Sequence, residues 1–120
     1  MFEELRGLLA KTAGIVPTLQ GALRRFGAKI RWAAVYGSVA KGEEREGSDV
    51  DLAIVGAVGM RELLPVQREF GREVNVTLYS EKEFAEKLRR GEHFIKALVN
   101  GKLIGLVGSL DELEKAPRRT

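Results

Sequence analysis

Two aspartates, Asp49 and Asp51, stand two residues apart in a chain that otherwise prefers glutamate. Of its 17 acidic residues, 14 are Glu and three are Asp. On an extended strand, residues i and i+2 point the same way, so the two carboxylates would leave one face with Cα atoms about 6.5–7 Å apart. Two hard oxygen ligands at that spacing suit Mg²⁺, which takes one or two carboxylates and fills its shell with phosphate oxygens and water. The segment Gly37 to Asp51, GSVAKGEEREGSDVD, reads G-S-x3-G-x5-S-D-x-D. Gly37 follows an apolar run and permits a sharp exit with close ligand approach. Ser38 stands where the free N–H groups of a helical turn would favour a phosphate, and its hydroxyl adds a donor. Gly42 keeps a side chain out of the path back to the next strand, and Ser48 leads into the aspartates. Alone, a D-x-D is more often a turn and a solvent-facing strand residue. Joined to the phosphate-loop half, it reads as a nucleotide and metal site.

These residues need strands on either side to hold them. Ile30 to Tyr36 (IRWAAVY) reads as a central strand, apolar almost throughout. Val50 to Val55 reads as a second, with Asp49 and Asp51 facing one way. Glu73 to Tyr79 alternates: Val74, Val76 and Leu78 on one face, Glu73, Asn75 and Thr77 on the other. Helical spacing places Leu5, Leu8 and Leu9 on one early helix. It places Leu19, Leu23 and Phe26 on a second, opened by Pro17 and followed by Gly27. A short helical turn is expected at Val39 to Lys41. Met60 to Phe70 reads as helix, with Pro65 able to divide it. Ser80 and Glu83 form a capping box for a helix to about Arg90; after Gly91, Glu92 to Val99 continues as another. Leu103 to Val107 is a short last strand. Strands alternating with helices imply an α/β or α+β fold, a mixed sheet flanked by helices. The dozen residues between the first two strands permit either pairing sense.

Composition narrows the function classes. The chain has 120 residues, 44% hydrophobic and 31% charged, which is one ordinary globular domain over 1–120. No cysteine means no disulfide, thiolate metal site or cysteine nucleophile, and one histidine, His93, excludes a multi-histidine zinc centre. No apolar run approaches a membrane span. The acidic start, MFEELRGLLAKT, is unlike a secretion signal and implies a cytoplasmic address. A net charge of +3 permits phosphate contact without arguing for nucleic-acid binding. His93 is read as a cap or packing residue, Trp32 and Tyr36 as core in preference to base-stacking groups. The pairs Arg24-Arg25, Arg89-Arg90 and Arg118-Arg119 are read as solvated faces. Lys41 stays open between phosphate contact and solvent.

With these motifs in place, the chain resembles a minimal nucleotidyltransferase of the DNA polymerase beta superfamily, most closely from Ile30 to Tyr79. The flanks GREVNVTLYS and GEHFIKALVNGKLIGLVG are similar to a branch often fused to helix-turn-helix regulators. The resemblance implies that Gly37 and Ser38 hold nucleotide phosphates and that Asp49 and Asp51 hold Mg²⁺ or Mn²⁺. It also implies a third carboxylate on the Glu73–Tyr79 strand, where this chain has Asn75. An amide can offer oxygen to a metal but cannot act as a base. Glu73 lies about 6.5 Å along that strand, too far for one extra methylene to compensate. Two functions are therefore expected. The first is transfer of a nucleoside monophosphate from a nucleoside triphosphate to an acceptor hydroxyl, with release of pyrophosphate. The second is a nucleotide-binding regulatory or interaction module with weak or no turnover. A protein acceptor or helical partner is expected by the same resemblance, with the nucleobase, the acceptor and the oligomeric state left open.

Overall fold

The computed structural model describes residues 16–37, 40, 50–70 and 73–110. Four strands form one sheet: β1 (Ile30–Tyr36), β2 (Val50–Gly56), β3 (Val74–Tyr79) and β4 (Ile104–Val107), in the order β3-β2-β1-β4. β1 runs antiparallel to both β2 and β4, whereas β2 and β3 are parallel. The pairing sense that the loop length left open is thus antiparallel, and the sheet is mixed. Among the described residues the helices are α1 over 16–24, α2 (Met60–Phe70), α3 (Glu81–Arg89) and α4 (His93–Asn100). α2 provides the crossover that a parallel β2–β3 pair requires.

Helices lie on both faces, so the two inner strands are buried nearly end to end. On one face, Leu19 and Leu23 of α1 and Leu63 and Val66 of α2 pack on Val35, Leu52, Ile54 and Val74. On the other, Phe84 of α3 and Ile95 and Leu98 of α4 pack on Trp32, Ala34, Ala53 and Val55. Adjacent strand residues therefore serve different cores, as the period of two requires.

Local sequence sets the element ends. Ser80 and Glu83 form the reciprocal capping box at the start of α3: Ser80 Oγ accepts from the Glu83 N–H at 3.1 Å, and Glu83 Oε1 accepts from the Ser80 N–H at 2.9 Å. Gly91, at φ +70°, takes the left-handed turn between α3 and α4. α2 is one helix; Pro65 does not divide it. Pro65 is exposed, so the Arg61 carbonyl that loses its i+4 donor lies on the water side of the helix, where hydration replaces the bond. The expected helices around Leu5 to Leu9 and Val39 to Lys41 lie outside the described residues. No helix among the described residues is long and apolar enough to cross a membrane.

Candidate functional site

The site lies where β1 ends and β2 and β3 begin. Three residues stand abreast there, Tyr36 opposite Asp51 and Asp51 beside Asn75. Directly paired residues share a face, so all three side chains leave the sheet on the α3–α4 side. Backbone and side-chain bonds fix this register. The Val50 N–H donates to the Glu73 carbonyl at 2.9 Å, joining the start of β2 to the residue before β3. Gln67 of α2 reaches back, its Nε2 donating to the Val74 carbonyl at 2.9 Å. Both contacts lie within two residues of the Asp51–Asn75 pair, on its N-terminal side.

The pair itself is in contact: Asn75 Nδ2 donates to Asp51 Oδ1 at 3.4 Å, a long bond at the exposed edge of the sheet. Asn75 thus occupies the place next to Asp51 on the neighbouring strand. Glu73 sits before β3 with its side chain exposed. Gly37 follows Tyr36 with φ +78°, a conformation favourable only to glycine. A Cβ at Gly37 would overlap the Asp51 carboxylate. Glycine there serves twice, by turning the chain and by leaving the Asp51 oxygens uncovered.

Ser38, Gly42, Ser48 and Asp49 lie outside the described residues, so of the two aspartates only Asp51 is placed. Among the described residues no three acidic or histidine side chains gather as a metal cluster. The donor chemistry at Asp51 nevertheless fits a hard cation. It offers a half-exposed carboxylate and an amide whose oxygen can replace its nitrogen by a half-turn, in a place that Gly37 keeps open.

The remaining candidates separate cleanly. Trp32 is core, 2% exposed and packed on Phe84 at 6.0 Å between ring centroids. His93 is the first residue of α4 and exposed; the cap position belongs to Glu92, so His93 is not the cap. Arg24, Arg25, Arg89 and Arg90 are exposed. Arg118, Arg119 and Lys41 lie outside the described residues.

Two features of the site were not read from the sequence. The Tyr36 hydroxyl shares a hydrogen bond with Thr77 Oγ1 at 3.2 Å, and the Tyr36 ring meets Phe94 of α4 edge-on at 5.7 Å and 76°. The alternation of β3 puts Thr77 on the face of Asn75, but its bond to Tyr36 depends on strand order, which no local pattern gives. Nothing in sequence spacing connects Phe94 to Tyr36, 58 residues earlier.

Comparison with known proteins agrees with this architecture. No curated protein matches the chain. A toxin-antitoxin crystal structure with AMP-PNP superposes with a TM-score of 0.53 at 16% identity, covering 82% of this chain and 77% of that one. A candidate nucleotidyltransferase from Sulfolobus solfataricus gives a TM-score of 0.47 at 14% identity, covering 69% of this chain and 78% of that one. The family model "Polymerase beta, Nucleotidyltransferase" matches residues 18–104, a span that runs from α1 to the start of β4 and encloses the whole site. With most of its length inside that match, the chain belongs to the polymerase beta nucleotidyltransferase family.

Proposed function

We propose that the chain is a single nucleotidyltransferase-like domain that binds a nucleoside triphosphate with Mg²⁺ or Mn²⁺ and transfers its nucleoside monophosphate to an acceptor hydroxyl. The observation that carries this reading is Asp51, uncovered by Gly37 and flanked by Asn75, in a chain of this family. Asp49 and Asp51 would hold the metal, and Gly37, Ser38, Gly42 and Ser48 the phosphates. The metal, when bound, would neutralise charge developing on the phosphates and orient them for in-line attack.

The acceptor oxygen forms a new bond to the α-phosphorus, the bond from that phosphorus to the bridging oxygen breaks, and pyrophosphate leaves with the electron pair. The acceptor proton must go elsewhere. Asn75 cannot take it, so in this chain it passes to water at the exposed edge of the sheet. Loss of a positioned base commonly costs about 10²–10⁴ in rate. Asn75 therefore also favours a second reading, a nucleotide-binding module with weak or no turnover. The toxin-antitoxin neighbour was crystallised with AMP-PNP. An adenine nucleotide and a protein acceptor or helical partner are accordingly the first ligands to try.

The test is incubation with α-³²P-labelled triphosphate, Mg²⁺ and lysate. The proposal expects label on an acceptor with wild-type protein and none with Asp51→Asn. Mg²⁺-dependent binding without transfer would select the module. Absence of Mg²⁺-dependent binding would defeat both readings.

A further inference from the structure

Among the described residues, Met60, Leu64 and Phe94 are the large apolar side chains left exposed, and Phe94 is 37% accessible. Position distinguishes Phe94 from the other two. Met60 and Leu64 belong to α2, which packs on the opposite face of the sheet. Phe94 touches Tyr36, and Tyr36 is paired directly with Asp51.

The Tyr36–Thr77 bond determines how these groups lie. It joins β1 to β3, with β2 between them, so the Tyr36 ring must cross over β2 on the α3–α4 face. Ala53, paired with both Ala34 and Thr77, leaves room for that crossing because it offers only a methyl group. Its neighbour on the same face of β2, at i−2, is Asp51. The phenol ring consequently runs beside the carboxylate, and Phe94 extends the aromatic surface outward into solvent. Ile95 and Leu98 anchor α4 in the core, so Phe94 is presented from a fixed helix.

The geometry points to the Tyr36–Phe94 pair as the wall on which the nucleobase of the bound triphosphate stacks, with Phe94 supplying the open ring face. This inference rests on the reading of Asp51 as the metal and phosphate site. With the phosphates at Asp51, the base is the planar, poorly hydrated part of the ligand that can cover an exposed phenyl ring. A phenyl group has no donor or acceptor with which to read base edges. Recognition is by stacking, which tolerates every base because each has a π-face. The chain should therefore hold purine and pyrimidine nucleotides alike, with the larger purine favoured by its greater overlap.

Calorimetric titration in Mg²⁺ with two probes tests this: the α,β-methylene analogue of ATP, and inorganic tripolyphosphate, which has no base. Phe94→Ala should weaken the nucleotide analogue by about ten-fold or more and leave tripolyphosphate unchanged. Phe94→Trp, which keeps a stacking surface, should restore nucleotide affinity. Equal losses for both probes would mean that Phe94 acts only by supporting the fold, and would overturn the inference. Undiminished nucleotide binding by Phe94→Ala would also overturn it, leaving Phe94 to an acceptor. If Asp51→Asn abolishes binding of both probes while Phe94→Ala changes neither, the stacking wall fails and the metal site stands. If wild-type protein binds neither probe, both fail together.

Discussion

On the side of the sheet that faces α1 and α2, Val35, Leu52, Ile54 and Val74 make an apolar surface that reaches the end of the strands. On the side that faces α3 and α4, Ala34, Ala53 and Val55 give way at that same end to Tyr36, Asp51, Asn75 and Thr77. The difference follows from how far the covering helices reach. Phe84 of α3 packs against Trp32 and Tyr79, toward the far end of the strands. At the near end, the 8-residue α4 rests Phe94 on Tyr36, and Phe94 itself stays partly exposed. A carboxylate there keeps its water, so placing it costs little folding energy, whereas the same group beneath α2 would lose its hydration. The open corner is thus the place on this sheet where charge can be concentrated at small cost.

Neighbouring residues of β2 test that contrast most severely. Leu52 is 1% exposed and points into the α1–α2 core, while Asp51 points the other way. Leu52→Ala should lower unfolding free energy by about 2–5 kcal/mol in urea titration. Asp51→Asn should leave it within about 0.5 kcal/mol and abolish Mg²⁺-dependent nucleotide binding. A large stability loss from Asp51→Asn would mean that Asp51 holds the fold together instead of serving a ligand.

Asn75→Asp sharpens the same comparison by adding charge to the open face. The two side chains are nearly isosteric, but the amide that donates to Asp51 Oδ1 becomes a second carboxylate beside it. Repulsion should destabilise the metal-free protein and tighten Mg²⁺ or Mn²⁺ binding. If the absent base limits transfer, the rate should rise by about ten-fold or more. Metal titration with initial rates separates the possibilities. Equal metal affinity in both proteins would remove Asn75 from the site. Tighter metal without faster transfer would show that something besides the base is missing.

What could be read from the sequence was what depends on near neighbours along the chain. The alternation at Val74 to Tyr79 places Asn75 and Thr77 on one face because a strand's period is two, whatever its partners. Ser80 and Glu83 cap α3 through bonds that span three residues, so the motif announces itself. Gly37 and Asp51 meet at the corner because one follows the end of the first strand and the other lies at the start of the second, and both strands announce themselves by their apolar runs. Pairing sense was different: the connection from β1 to β2 is long enough for either, and only packing of the whole sheet makes it antiparallel. Phe94 was hidden for a related reason. Its contact with Tyr36 depends on where α4 docks, which Ile95 and Leu98 decide through the core and no local spacing reveals.

The smallest expected effect belongs to the boundary between the apolar and polar parts of the α3–α4 face. Tyr36→Phe keeps the ring that crosses β2 and its contact with Phe94, but deletes the hydroxyl that meets Thr77 Oγ1 at 3.2 Å. The bond is partly buried and neutral, so its loss should cost about 0.5–1.5 kcal/mol in unfolding free energy. Thr77→Val leaves the phenol without that partner and should cost a similar amount. The double variant should cost less than the sum of the two, because each single change breaks the same bond. Nucleotide affinity separates two roles for the phenol. If the hydroxyl only braces β1 against β3, the Tyr36→Phe protein should bind the Mg²⁺ nucleotide analogue as wild type does. A loss of nucleotide affinity with unchanged stability would instead place the hydroxyl in contact with the ligand, and would move the polar boundary of the site inward from Asp51 to Thr77.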